Sequence, residues 1–262
     1  MRTQPQDVIA KLEADNSRLA KEKILLDAMN EGLDEFFEGL KMCLDKLYTF
    51  GVKQVPTKDE VVAGQGCPWN VFKDLAEKLY NRELTGHNAR DAINLVMSSA
   101  TAEQWNGFYR RILIKDLRCG VSEKTVNSVA KKNKFGKYMV PVFTCQLAHD
   151  SANHEKKLVG KKMLEVKLDG VRTLAIVHPD GKVDMLSRNG KEFTNFGHIQ
   201  DEISAVVKQD PPPYPLVLDG EVMSENFQDL MKQVHRKGSA DAKDAVLHLF
   251  DFIPLEEFKK GK

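Results

Sequence analysis

Near residue 140 the hydrophobic period of this chain changes, and that change constrains the fold more than any other feature. From Asp7 to about Ala130 apolar residues recur at spacings of three and four, with few β-branched runs. Beyond Pro141 short alternating or continuous apolar runs take over, punctuated by Gly, Pro and Asp. The pattern predicts an α+β chain of two domains, one all-helical over residues 1–138 and one β-rich over 139–262. A chain of 262 residues is long enough for each to bury a core.

Within the helical half, leucines recur every seven residues at 12, 19, 26, 33, 40 and 47. A zipper is rejected because the companion positions Asn16, Lys23 and Asn30 are polar and Gly32 and Gly39 interrupt the run. Helices packed in a bundle are expected instead. The Gly- and Pro-rich stretch from Val52 to Trp69 reads as a loop, and Leu84 to Ala92 as a helix end and restart. A further helix is expected over Phe108–Leu117, stopped by Gly120 as its C′ residue, with Ser122 capping the next. That N-terminus, beside Lys115, Arg118 and Lys124, makes a candidate phosphate seat. Charge agrees: residues 110–140 hold 9 Lys/Arg against 2 Asp/Glu, whereas 1–60 hold 9 against 12. A local excess of that size is a footprint for a polyanion, although the net charge is only +1.

In the second half strands are expected at Met163–Leu168, Val171–Val177, Lys182–Ser187, Leu216–Met223 and Val246–Ile253, the last buried on both faces. A turn at 178–181 makes the second and third an antiparallel pair. No apolar stretch approaches the ~18 residues of a membrane span. The N-terminus lacks a signal-peptide core, and the four cysteines show no C-x-x-C spacing. These features predict reduced thiols, a cytoplasmic setting and no membrane.

The run Glu165-Val166-Lys167-Leu168-Asp169-Gly170-Val171-Arg172 carries the chemistry. Period-two geometry puts Leu164, Val166 and Leu168 on one face and Glu165, Lys167 and Asp169 on the other. A lysine in that company is a candidate nucleophile. Only roughly one ordinary lysine in a thousand is neutral near pH 7.4, so burial or a neighbouring cation must lower its pKa first. Downstream follow Ser187-Arg188-Asn189-Gly190, Leu218-Asp219-Gly220-Glu221 and Leu249-Phe250-Asp251-Phe252. Each alone is a common turn or core strand.

In this order behind K-x-D-G-x-R, they resemble the ATP-dependent DNA ligases of the lysine-nucleotidyltransferase superfamily. Leu84-Thr85-Gly86 and Ile114 to Ser122 are similar to the helical DNA-binding domain that precedes the ligase catalytic domain. The likeness spans roughly residues 80–262 and is nearest to bacteriophage ligases. It implies a helical DNA-binding domain followed by a nucleotidyltransferase (adenylation) domain, acting in DNA replication, repair and recombination.

It also implies the chemistry. Lys167 attacks the α-phosphate of ATP to give lysyl-AMP, AMP passes to the 5′-phosphate at a nick in double-stranded DNA, and the 3′-hydroxyl displaces it. By family position Glu165 lies near the adenine edge, and Arg172 contacts ribose and the nick terminus. Phe250 stacks on adenine, and Glu221 serves ribose and the Mg2+ site. Arg188 holds the 5′-phosphate, with Lys115, Arg118, Ser122 and Lys124 on the DNA backbone. The resemblance suggests a phage-infected bacterial cell as the setting.

The family's later motifs, a second metal carboxylate and a K-x-K strand, do not occur after Asp251, nor does the OB-fold that follows them. Glu38-Gly39-Leu40-Lys41 is a decoy in a helical stretch. The expectation is a C-terminally truncated or split ligase that adenylylates poorly by itself, with a second chain supplying the missing motifs, and otherwise monomeric. Two alternatives stay open. One is another lysine nucleotidyltransferase (an RNA ligase or mRNA guanylyltransferase), the other a non-catalytic nick-binding fragment.

Overall fold

The structure, a computed structural model, describes residues 3–60, 64–225 and 244–261. The chain divides into two compact units, 1–142 and 143–262.

The first unit is helical. Helices α1 (Pro5–Ala14), α2 (Arg18–Asn30) and α3 (Asp34–Leu44) are followed by a long loop, then α4 (Trp69–Tyr80) and α5 (Gly86–Ser99). A short α6 (Ala102–Gln104) runs through a π-turn at Trp105–Tyr109 into α7 (Arg110–Leu113), and α8 (Glu123–Lys132) follows. The heptad leucines are shared among α1, α2, α3 and the connections, with Leu12, Leu33 and Leu40 buried and Leu19 exposed, so no zipper exists.

Aromatic side chains fill the core. Phe72 stacks on Tyr109 at 4.2 Å, Phe36 on Phe108 at 6.1 Å, and Phe37 on Tyr138 at 4.1 Å. Burying each such ring contributes on the order of 2–3 kcal/mol. The π-turn brings Trp105, Phe108 and Tyr109 into that core together. Gly39 is fixed by the same packing, since a Cβ there would lie 2.6 Å from Ile112 Cδ1. The decoy E-G-L-K is therefore structural, and its Glu38 accepts a hydrogen bond from Trp69 Nε1 at 2.7 Å.

Two expectations fail here. The helix that was to run from Phe108 to Leu117 ends at Leu113, and Lys115, not Gly120, takes the left-handed C′ position at φ 59°. Lys115 N–H donates to Ile112 O and Asp116 N–H to Arg111 O, which closes the helix. The strained lysine is held from outside the helix: its ammonium donates to Met42 O, Asp45 O and Tyr48 O at 2.6 Å each. Gly120 instead sits beside Lys21, whose Nζ donates to Cys119 O and would be 2.6 Å from any Cβ at position 120. A third lysine, Lys58, is buried in the long loop and caps the end of α5 by donating to Met97 O, Ser98 O and Ala100 O.

The second unit is an antiparallel sheet in the order β2-β1-β3-β4, formed by β1 (Val171–Val177), β2 (Val183–Ser187), β3 (Leu216–Met223) and β4 (Val246–Pro254). Helix α9 (Gly197–Gln209) and Phe193 and Phe196 cover one face, burying Ala175, Val177, Met185 and Val222. A short α10 (Leu255–Lys259) follows β4.

Two strand expectations are corrected. Residues 163–168 form no strand and are exposed except for Leu168, despite their alternation. A strand needs a neighbour for its backbone N–H and C=O groups, and no described residue pairs with this segment. Strand β4 is not buried on both faces: it is a sheet edge, and Val246, Leu249, Phe250 and Phe252 are exposed. Continuous apolar character reads the same on a buried strand and on one awaiting cover.

Candidate functional site

Antiparallel register decides which side chains of the second unit meet. Arg172 pairs with Glu221, and Glu221 with His248, so these three share the face opposite α9. Asp219 lies two residues from Glu221 and points the same way. At Asp219/Gly220 the β3–β4 register shifts, leaving Phe250 as the extra residue between Leu249, opposite Gly220, and Asp251, opposite Asp219. Bulges of this kind re-aim side chains. Here the bulged residue meets the arginine: the Arg172 guanidinium carbon lies 4.7 Å from the centroid of the Phe250 ring, in cation–π contact.

Arg172 is held on its other side by Asp219. Nε donates to Oδ1 at 2.6 Å and an Nη to Oδ2 at 2.7 Å, the fork geometry that only a guanidinium supplies. The hydrogen bond to Asp219 outweighs partial burial and raises the Arg172 pKa above its ordinary value, so the group is a fixed cation. Cys145 joins this neighbourhood. Its thiol donates to Arg188 O at 3.7 Å, and burial pushes its pKa up, against the pull of Arg172.

Glycines at two motif positions are explained by close approach. Gly170 N–H donates to Glu221 Oε1 at 3.1 Å, and a Cβ on Gly170 would lie 2.3 Å from Val222 O. A Cβ on Gly220 would lie 2.5 Å from His248 O. The glycine of K-L-D-G thus ties the end of the lysine segment to the carboxylate of D-G-E.

Several expected site residues therefore come together: Arg172, Glu221 and Phe250, with Gly170 beside them. Others do not. Glu165 and Lys167 are exposed on the unpaired segment, and Lys167 makes no hydrogen bond or ion pair with a described residue. Arg188 is exposed in the turn closed by Gly190 N–H donating to Ser187 O. In the first unit Arg118 and Lys124 are exposed, and Ser122 caps α8 by accepting from Thr125 N–H. Lys115 is a correction: its ammonium is committed to three carbonyls, so it does not present a charge to a DNA backbone. Cys145 and His248 were missed, as was the pairing of Asp219 with Arg172. The Asp-Gly-Glu spacing places Asp219 on the same strand face as Glu221, but only strand pairing shows that it grips Arg172.

The antiparallel sheet presents this arginine, carboxylate and aromatic set on one face, and the same span is similar to known proteins. Residues 144–259 match the family model described as "ATP dependent DNA ligase domain". The match takes in nearly all of the second unit. Two curated relatives, each named "DNA ligase", from Enterobacteria phage T4 and Enterobacteria phage T6, are 26% identical over 151 residues. That match takes in 55% of this chain but 30% of either phage protein. Solved structures named "Pmar-Lig_Pre." and "Pmar-Lig_PreS3" are similar at 63% identity with a TM-score of 0.58. They match 98% of this chain, which spans 59% of theirs.

Proposed function

We propose that this chain works as the DNA-binding and nucleotide-binding portion of an ATP-dependent DNA ligase that seals nicks in double-stranded DNA through an AMP adduct on Lys167. The observation that carries the reading is the Arg172–Asp219–Phe250 stack beside Glu221, tied through Gly170 to the segment that holds Lys167. It lies within the span that matches the ligase family.

The chemistry of each side chain supports a role. Phe250 offers an aromatic face on the open side of the sheet, suited to stacking on adenine. Arg172 supplies a fixed positive charge near it, and Glu221 a carboxylate for a ribose hydroxyl. Among the described residues no three His, Cys, Asp or Glu side chains gather as a metal cage. A cage is not what Mg2+ needs beside a nucleotide, since it keeps several waters and takes phosphate oxygens with one or two carboxylates. Glu221 fits that part, whereas Asp219 is occupied by Arg172. Bound Mg2+ would neutralise phosphate charge as pyrophosphate leaves. Lys167 is the nucleophile, Glu165 lies near the adenine edge, and Arg188 receives the 5′-phosphate.

The DNA-binding role belongs to the basic span 110–140, now without Lys115: Arg118, Lys124 and the capped start of α8 at Ser122 meet the backbone. A ligase must accept any sequence, so phosphate contacts dominate and affinity falls steeply with salt.

Intact mass spectrometry after incubation with ATP and Mg2+ tests the reading. One added AMP at low occupancy, mapped to Lys167 and absent from Lys167→Ala, is the expected result. Labelling by GTP instead of ATP would favour a guanylyltransferase, and labelling at another residue would overturn the assignment.

A further inference from the structure

Between α7 and α8 the chain enters the left-handed region at Lys115 (φ 59°), Arg118 (φ 54°) and Gly120 (φ 65°). A non-glycine residue there is strained and persists only where its surroundings hold it. Lys115 is held by its own ammonium, as described above. The rest of the loop is held from beneath by two cations on other elements. Arg111 of α7, its side chain 16% exposed, donates from Nη1 to Leu117 O at 2.9 Å. Lys21 of α2, 98 residues from the loop in sequence and 7% exposed, donates from Nζ to Cys119 O at 2.7 Å. Alternate carbonyls are thus gripped, and the side chains alternate with them. Leu117, Cys119 and Val121 are buried, whereas Arg118, Gly120 and Ser122 are exposed. Gly120 fits this arrangement twice, because glycine is unstrained at its positive φ and a Cβ there would meet Lys21 Nζ at 2.6 Å.

We propose that Lys21, together with Arg111, is a positioning residue for DNA: by gripping the two carbonyls from inside, they preform the outward row Arg118, Gly120 and Ser122 that meets backbone phosphates. Neither buried cation touches the DNA. Each fixes the shape of a loop that has no ladder partner of its own, since a buried carbonyl left without a donor would turn back to water. Arg118 is available for a phosphate, because its guanidinium makes only an exposed contact to Asp116 at 3.6 Å among the described residues. A loop held in its binding shape beforehand loses less freedom on association, so more of each phosphate contact appears as affinity. This inference rests on the DNA-binding part of the ligase reading and adds the groups that set the geometry of that surface.

The test measures binding of the full chain to a nicked duplex by fluorescence anisotropy, without nucleotide, at a temperature where thermal melts show each variant folded. Lys21→Met should weaken binding about fivefold or more. Lys58→Met takes an equally buried lysine away from three carbonyls elsewhere in the same unit. It should leave affinity within about twofold, which separates positioning from a general loss of stability. The decisive readout is a double variant. Arg118→Met should weaken the native chain and lower its salt slope by about one, yet add little to Lys21→Met, where the arginine is no longer held in place. Where Lys21→Met does not fold, Gly120→Ala presses a methyl onto the same ammonium and takes its place with the same expectations. Equal weakening by Lys58→Met, or fully additive losses from Lys21→Met and Arg118→Met, would overturn the proposal while leaving DNA binding intact. A native chain that binds no duplex would instead overturn the DNA-binding role, and this proposal with it.

Discussion

The guanidinium of Arg172 grips the carboxylate of Asp219 through two parallel bonds, and the ring of Phe250 closes over its other face. Three strands contribute one residue each, so the stack exists only when β1, β3 and the bulge of β4 are in register. Both partners of the ion pair are about four-fifths buried, so each depends on the other for solvation.

Asp219→Ala should accordingly destabilise the second unit by about 2–3 kcal/mol, somewhat less than a fully buried pair broken at one side. The double variant Arg172→Met with Asp219→Leu should recover at least half of that loss. Urea unfolding followed by tryptophan-independent circular dichroism measures both, and additive losses would show that the two residues are not coupled.

Lys58 should prove as important to the helical unit as a core aromatic. Its buried ammonium is shared by the carbonyls of Met97, Ser98 and Ala100, which end α5. Lys58→Met leaves those acceptors without a partner and should cost about 2 kcal/mol. Surface lysine Lys124, replaced in the same way, should change stability by less than about 0.5 kcal/mol in the same denaturation series.

Lys115 gives the helical unit a pH dependence of defined sign. Burial lowers its pKa from the ordinary lysine value of 10.5 to about 8. Between those values the unfolded chain binds the proton more readily than the folded one, so stability rises with pH. Burial of Cys43, whose thiol is pushed up from 9.0 to about 12, works in the opposite direction above pH 9. The rise should therefore be confined to about pH 8–9. Unfolding free energies measured at intervals across that range should climb for the native chain and stay flat for Lys115→Met.

At the other extreme, Asp184 should govern acid stability of the second unit. Burial pulls its pKa up, but the facing His178 and the Lys182 ammonium outweigh this and hold it below the usual 3.8. A depressed carboxylate stabilises the fold above its unfolded value and loses that contribution as pH falls through the folded one. Asp184→Asn should remove the acid-sensitive part below pH 4 while lowering stability at pH 7, as read by thermal melts at both pH values.

Gly170→Ala separates packing from chemistry. The added methyl would meet Val222 O at 2.3 Å and displace the hydrogen bond to Glu221. A stability loss of about 1–3 kcal/mol is expected, together with loss of AMP uptake by Lys167. Full labelling in a folded Gly170→Ala variant would dissociate the lysine segment from the Glu221 face.

The sequence by itself determined the change from helix to sheet near residue 140, the helical spacing of the first half, and strands β1, β2 and β3 to within a residue. Those follow from local periodicity, which a single chain records directly. It also placed Asp219 and Glu221 on one face of β3, because alternation is fixed by the pleat. What periodicity could not decide is where a segment finds its partner. The 163–168 row alternates as cleanly as β1 yet has no neighbour, and β4 is as apolar as a buried strand yet lies at an edge. The sequence leaves no mark of the inward turn of Lys21, Lys58 and Lys115, and only the packed structure shows the carbonyls that claim them. Burial and pairing are properties of the assembled unit, so tertiary structure alone assigned Asp219 to Arg172 and withdrew Lys115 from the DNA-binding set.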